Sequence, residues 1–204
     1  MAVIWVINRE NRQNNKNNFP KNQIMRLKKE NTIGVAIDLQ DRLLSVMTGK
    51  DQIIHSCNIL TKGLLQLNIP LFFTQQYTKG LGETTEEIKS LVKEFSHIEK
   101  KEFSCWNEPE FKLKIQKSNA KNIILFGIES HICVLQTAID LKEEGYNPVV
   151  VMDCVSSRKE KDILLAAERL HQENIMTTSY EAILFELLGT AKDPNFKAIS
   201  NLIK

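Results

Sequence analysis

Apolar residues along this chain recur with two periods, and the two alternate. Six short runs rich in β-branched and aromatic residues read as strands: Ile33 to Ile37, Pro70 to Thr74, His97 to Glu99, Asn122 to Phe126, Pro148 to Met152 and Ile175 to Thr177. Between them lie stretches with helical spacing. Gln52 to Gln66 carries Ile53, Ile54, Cys57, Leu60, Leu64 and Leu65 along one side, and Glu86 to Phe95, Glu110 to Lys117, Cys133 to Glu144, Lys159 to Gln172 and Tyr180 to Leu188 follow the same pattern. Gly145, directly after Glu144, supplies a helix stop. Strand and helix alternating at this length predict an α/β protein with a three-layer α/β/α, doubly wound, mostly parallel six-stranded sheet of the Rossmann-like kind.

Right-handed crossovers give such a sheet the strand order 3-2-1-4-5-6, so its first and fourth strands are neighbours at the topological switch point. Open α/β sheets bind ligands there, outside the carboxyl ends of the strands. Three ionisable residues lie on that predicted rim. Asp38 closes the first strand, Lys100 closes the third, and Cys133 lies past the fourth, where the next helix is predicted to begin. A thiol at a helix N-terminus meets the positive end of the helix dipole and is expected to ionise below its usual ~8.5. An acid, a base and a thiol at three strand ends form a candidate nucleophilic constellation.

Composition narrows the function classes. The 204 residues are 42% hydrophobic and 25% charged, enough for one sizeable core. Net charge is +2, with 27 Lys and Arg against 25 Asp and Glu, and no arginine stripe interleaves with aromatics, so no nucleic-acid partner is expected. No apolar stretch approaches the ~20 residues that span a bilayer, and no membrane role is expected. Residues 1–31 read as a flexible polar extension, because the Asn-rich tract from Asn8 to Asn18 cannot bury enough apolar area to offset its ordering entropy, and residues 32–204 read as the folded domain. Met1 to Ile7 lacks the basic start and the length of a signal peptide, which makes the chain cytoplasmic on this reading. A mitochondrial location is the alternative if the basic residues between Arg9 and Lys29 act as a leader. Cys57, Cys105, Cys133 and Cys154 are scattered singly, and His55, His97, His131 and His171 share no ligand spacing, so free thiols, no metal and no other cofactor are expected.

Five segments in register resemble one family. Ile37-Asp-Leu-Gln-Asp-Arg42, Gln75-Gln-Tyr-Thr-Lys-Gly-Leu-Gly82, Glu99-Lys-Lys-Glu-Phe-Ser104, Gly127-Ile-Glu-Ser-His-Ile-Cys-Val-Leu-Gln-Thr137 and Asp153-Cys-Val-Ser-Ser-Arg158 look like the isochorismatase-like cysteine hydrolases, and more narrowly like the isochorismatase domain-containing proteins, over about residues 32 to 190. The resemblance places Asp38, Lys100 and Cys133 on that family's Asp-Lys-Cys triad. It implies that Asp38 takes the thiol proton, that Lys100 lowers the energy of the thiolate, and that Cys133 attacks a carbonyl to form an acyl-enzyme which water hydrolyses. It further implies a non-proline cis peptide at Ile128-Glu129, aiming the backbone N–H groups of Glu129 and Cys133 at an oxyanion. The Asp-x-His metal motif of nicotinamidase-type relatives is replaced here by Thr74-Gln-Gln-Tyr77, which disfavours a metal-dependent nicotinamidase. Keeping Cys133 argues against the vinyl-ether chemistry of siderophore-type isochorismatases, which commonly lack the thiol. Thr78 stands where relatives often carry Pro.

Each residue has a plainer reading. Cys57, on an apolar helical face, and Cys154, beside a strand end, read as small hydrophobes. Asp38 has the alternative of a turn or capping acid, and Lys101 rivals Lys100. Tyr77 and Trp106 are expected in the pocket wall, with Phe103 either there or in the core. Gln40 either holds the acid or the substrate, or is a solvent-facing loop amide. Ser156, Ser157 and Arg158 are expected to cap the next helix and bridge loops. The function expected is a metal-independent cysteine hydrolase, a homo-oligomer acting on a small amide or related acyl compound. The alternative is a weakly or non-catalytic homo-oligomeric binding protein that retains the triad.

Overall fold

The computed structural model describes residues 26–204. The apolar start from Val3 to Ile7 and the Asn-rich tract lie outside the described residues. In chain order the elements are β1 (Thr32–Ile37), α1 (Asp41–Leu44), α2 (Lys50–Gln66), β2 (Leu71–Gln76), α3 (Thr78–Leu81), α4 (Glu86–Lys89), β3 (Ile98–Lys100), α5 (Pro109–Lys117), β4 (Asn122–Ile128), α6 (Leu135–Glu143), β5 (Asn147–Ser156), α7 (Glu160–Gln172), β6 (Met176–Thr178), α8 (Tyr180–Leu188) and α9 (Phe196–Ile203). The six strands form one sheet in the order β3-β2-β1-β4-β5-β6. Every pairing is parallel, in keeping with the mostly parallel sheet the sequence predicts.

Alternation along the strands divides the core. On β1, Ile33, Val35 and Ile37 join Ile123, Leu125 and Val150 under α5 and α6, with Phe111, Ile115, Ala138 and Leu141. Ala36, Ile124, Phe126 and Val149 face the other way onto Leu60 and Leu64 of α2, Leu184 and Leu187 of α8, and Ile199 of α9. Burying one such aliphatic or aromatic side chain stabilises the fold by roughly 1.5–3 kcal/mol. Continuous burial of β1 and β4 on both faces is what a central parallel strand requires.

Several expected boundaries move. Residues 27 to 31 belong to the domain rather than to an extension: Leu27 is buried in the α2/α8 core, its N–H donates to Glu186 Oε1 at 2.8 Å, and Lys29 pairs with Asp193 at 2.7 Å. The helix expected over Glu86 to Phe95 is a single turn, α4, after which the chain runs to edge strand β3 with Phe95 packed on Phe73. Helix α9 was missed, although Phe196, Ile199, Leu202 and Ile203 have helical spacing. Strand β5 runs to Ser156, past Met152, because a bulge opposite Leu125 and Gly127 keeps it paired with β4 up to the rim.

Candidate active site

The sheet register builds the site. Ile37 pairs with Thr74 of β2 on one side and Gly127 of β4 on the other, so the residue after Ile37 enters the switch-point crevice between two strand ends. That residue, Asp38, adopts φ 52, a left-handed conformation that Asp tolerates better than most side chains. Gln76 pairs with Lys100 at the end of β3, which sets the lysine one strand further out with a stem long enough to reach back. Past β4 the peptide Ile128-Glu129 is cis, and residues Ser130–Val134 form a single π turn that runs into α6. Cys133 therefore lies inside this turn rather than at the first residue of the helix. Gly127 makes the junction possible: at φ 117 a Cβ would lie 2.0 Å from the Ile37 carbonyl oxygen.

The structure brings Asp38, Lys100 and Cys133 together. Lys100 Nζ is 2.7 Å from Asp38 Oδ2, with both side chains fully buried, and 3.6 Å from Cys133 Sγ. Lys101 is exposed, which removes it as a rival. Three residues that the sequence reading did not single out complete the cluster. Gln76 Oε1 accepts from Lys100 Nζ at 2.6 Å, and the carbonyls of Glu102 and Phe103 accept at 3.2 and 3.4 Å. Thr74 Oγ1 donates to Asp38 Oδ1 at 2.8 Å. The fully buried Cys105 thiol lies 3.9 Å from Thr74 Oγ1. An ammonium has only three protons, so Lys100 is anchored mainly by oxygens and acts on the sulfur as a nearby charge.

The electrostatics differ from the sequence expectation at the thiol. Burial and the Asp38 carboxylate push the Cys133 pKa up to about 12, and the Lys100 ammonium only partly offsets them. The expected low-pKa thiolate is therefore not the resting state. Desolvation at the bottom of the crevice outweighs the lysine and the end of the turn. Burial also raises Asp38 despite Lys100 beside it, which makes its carboxylate a stronger proton acceptor than an exposed one. For Lys100, burial works against the ammonium, but the adjacent Asp38 carboxylate favours it and its pKa is raised. Cys105 is pushed up to about 11, chiefly by burial.

The remaining expected site residues divide. Tyr77 is on the rim and 49% exposed, its ring lying over Gly80, and Phe103 is 56% exposed. Trp106 is a correction. It is buried in the core, donates from Nε1 to Glu144 Oε1 at 3.0 Å, packs edge-on against Tyr146 and carries Lys112 over its ring, so it points to the far end of α6. Gln40 is a second correction. Its Oε1 accepts from the Gln76 N–H and its Nε2 donates to the carbonyls of Gln76 and Gly82, which commits the whole amide to bracing the β2 end. Ile128 is fully buried, and the Glu129 carboxylate accepts from Arg158 Nε at 3.0 Å. Ser156, Ser157 and Arg158 bridge loops but do not cap α7, whose N-terminus has no side-chain cap. Thr78 uses the N–H that a proline lacks, donating to Glu99 Oε1 at 2.9 Å. Cys57 and Cys154 are buried with Cys57 Sγ donating to the Cys154 carbonyl, as core thiols. Among the described residues no group of three or more His, Cys, Asp or Glu could hold a metal ion.

A doubly wound parallel sheet with an acid, a lysine and a thiol gathered at its switch point defines an α/β protein with a candidate nucleophilic site. The chain belongs to the isochorismatase family: residues 32–182 match the isochorismatase domain. It is 36% identical over 171 residues to the secreted isochorismatase effector Isc1 of Phytophthora sojae, covering 82% of this chain and 81% of that one. Isochorismatase domain-containing protein 2 of Xenopus laevis is 31% identical over 182 residues, covering 89% and 87%. Among solved structures, the MAR1 ribonuclease from Caenorhabditis elegans superposes with a TM-score of 0.83 at 36% identity, covering 88% of this chain and 92% of that one.

Proposed function

We propose that this chain is a metal-independent cysteine hydrolase acting on a small amide or related acyl substrate through Asp38, Lys100 and Cys133. The observation that carries the reading is the buried contact of the three groups, 2.7 Å from lysine to carboxylate and 3.6 Å from lysine to sulfur. At rest the site holds a thiol, a carboxylate and an ammonium. On attack, Cys133 Sγ bonds to the substrate carbonyl carbon while its proton passes to Asp38, and the carbonyl π electrons move onto oxygen. The Lys100 ammonium offsets the charge that develops on sulfur. The backbone N–H groups of Glu129 and Cys133 are assigned to the oxyanion. Collapse expels the amine, which leaves with the proton from Asp38, and a thioester remains on Cys133. Asp38 then removes a proton from water, water oxygen adds to the thioester carbon, and the sulfur leaves to recover its proton. The metal-free part of the reading rests on the resemblance, in which the region Thr74 to Gly82 lacks the Asp-x-His motif of nicotinamidase-type relatives. Tyr77 and Phe103, exposed on the rim, are read as pocket wall completed by a neighbouring copy in a homo-oligomer.

Ribonuclease action is the second reading, favoured by the similarity to the C. elegans MAR1 ribonuclease. The three buried side chains beneath the rim argue for a small substrate instead. Incubating the parent and Cys133→Ala proteins with short acyl amides and esters and, separately, with a labelled RNA separates the two. Cys133-dependent release of acid from an acyl compound supports the hydrolase, and Cys133-dependent RNA cleavage without it supports the ribonuclease.

A further inference from the structure

A chain of four polar side chains leads outward from the turn that carries Cys133. Ser130, which opens the turn and is buried, has its Oγ 2.6 Å from Ser157 Oγ, itself fully buried beyond the end of β5. Ser157 Oγ is 2.8 Å from His131 Nδ1, and His131 Nε2 is 3.8 Å from Asp162 Oδ2 in α7. Neither serine has access to solvent, whereas His131 and Asp162 are about a quarter exposed, with side-chain values of 25% and 27%. His131 shares with Leu135, Leu165, Glu168 and Arg169 a surface groove of about 380 Å³, so water reaches the imidazole from outside the site.

Proton counting gives this chain one direction at a time. Each hydroxyl has a single proton. In the neutral tautomer that carries its proton on Nε2, Nδ1 of His131 accepts from Ser157. The Ser157 oxygen then accepts from Ser130. When His131 takes a second proton, Nδ1 becomes a donor to Ser157, the Ser157 proton turns to Ser130, and the Ser130 proton loses its acceptor in a buried place. The titration of a surface imidazole is thereby transmitted to the first residue of the nucleophile's turn. Charges around the imidazole come from α7, as Asp162, Glu168 and Arg169; the Glu129–Arg158 pair separately ties the residue before the turn to the loop after β5.

We propose that His131 is a positioning residue for Cys133, and that its neutral form, hydrogen-bonded to Ser157, keeps the π turn in its reactive arrangement while its protonated form withdraws it. The inference rests on the reading of Cys133 as the nucleophile. Its test needs no substrate. Acrylamide labelling of Cys133 in the full-length protein is followed by mass spectrometry between pH 5 and pH 8 for the parent and His131→Asn proteins, with folding checked by thermal melts at both ends. Asn at 131 keeps an acceptor for Ser157 and does not titrate. The labelling rate of His131→Asn divided by that of the parent cancels the ionisation of the thiol itself. This ratio is expected to rise about fivefold as pH falls across the range in which histidine titrates. A ratio that stays flat for His131→Asn shows a purely structural residue and overturns the proposal. Failure of the hydrolase reading shows separately, as acyl turnover that survives Cys133→Ser.

Discussion

At the scale of the residue, the buried ion pair explains more than reactivity. Asp38 and Lys100 are both fully buried and 2.7 Å apart, so replacing one leaves an uncompensated charge in the core. Such a break typically costs about 3–5 kcal/mol. Asp38→Asn and Lys100→Met are therefore expected to lower stability by about that much in urea unfolding, with Lys101→Met close to the parent, rather than leaving the fold untouched as a purely chemical role implies. The thiol provides a second residue-scale prediction. Because the Asp38 carboxylate helps push Cys133 up to about 12, labelling of Cys133 should keep accelerating through pH 8.5 in the parent, and Asp38→Asn should label faster than the parent at a fixed pH near 8 while losing hydrolysis. Slower labelling of Asp38→Asn would show that the carboxylate does not oppose the thiolate. Asp38, Lys100 and Cys133 were legible in the sequence because each closes or follows a periodic run on a predicted rim. Gln76, Thr74 and Cys105 were not, since an amide, a hydroxyl and a second thiol carry no local signal of which charge they face. The sign of the Cys133 shift was hidden for a related reason. The dipole and the lysine can be read from sequence position, but depth of burial cannot.

At the scale of the element, the strand order was legible because hydrophobic period and crossover handedness leave few alternatives. The junctions between elements were less so. Gly127 meets the Ile37 carbonyl at 2.0 Å if given a Cβ, and it also sits at φ 117, so two independent penalties fall on one substitution. Gly127→Ala is expected to destabilise by at least ~3 kcal/mol and to yield little folded protein, measured by soluble recovery and urea unfolding. The short helices α1 and α3 escaped notice because a single turn has no period to read, and α4 ends early because its chain must return to the sheet edge. The N-terminal boundary failed for a different reason. The polar residues around Leu27 masked one apolar side chain that docks between α2 and α8. Deleting residues 1–25 is expected to keep a melting temperature near the parent, whereas deleting residues 1–31 removes Leu27 and the Lys29–Asp193 pair and should lower it by several degrees.

At the scale of the whole molecule, two buried thiols link the site to global stability. Their folded pKa values, about 11 for Cys105 and about 12 for Cys133, lie above the ordinary value of 9.0. The unfolded chain thus loses these protons first as pH rises. Their contribution is fully present below pH 9 and is lost between pH 9 and those folded values, by about 1.4 kcal/mol per pH unit for each thiol while the unfolded form is ionised and the folded one is not. Cys105→Ala should show a shallower fall of melting temperature above pH 9 than the parent. Family membership, the parallel sheet and the gathered Asp38, Lys100 and Cys133 side chains lead to the central proposal, that the thiol carries an acyl group. The most direct measurement is rapid-quench intact-protein and peptide mass spectrometry during turnover of a panel of short acyl esters and amides, run on the parent and on Cys133→Ser. The account predicts an early mass increase equal to the acyl group, located on the peptide containing Cys133, and loss of both the adduct and turnover in Cys133→Ser. Turnover that persists in Cys133→Ser, or an acyl group found on a residue other than Cys133, would contradict it.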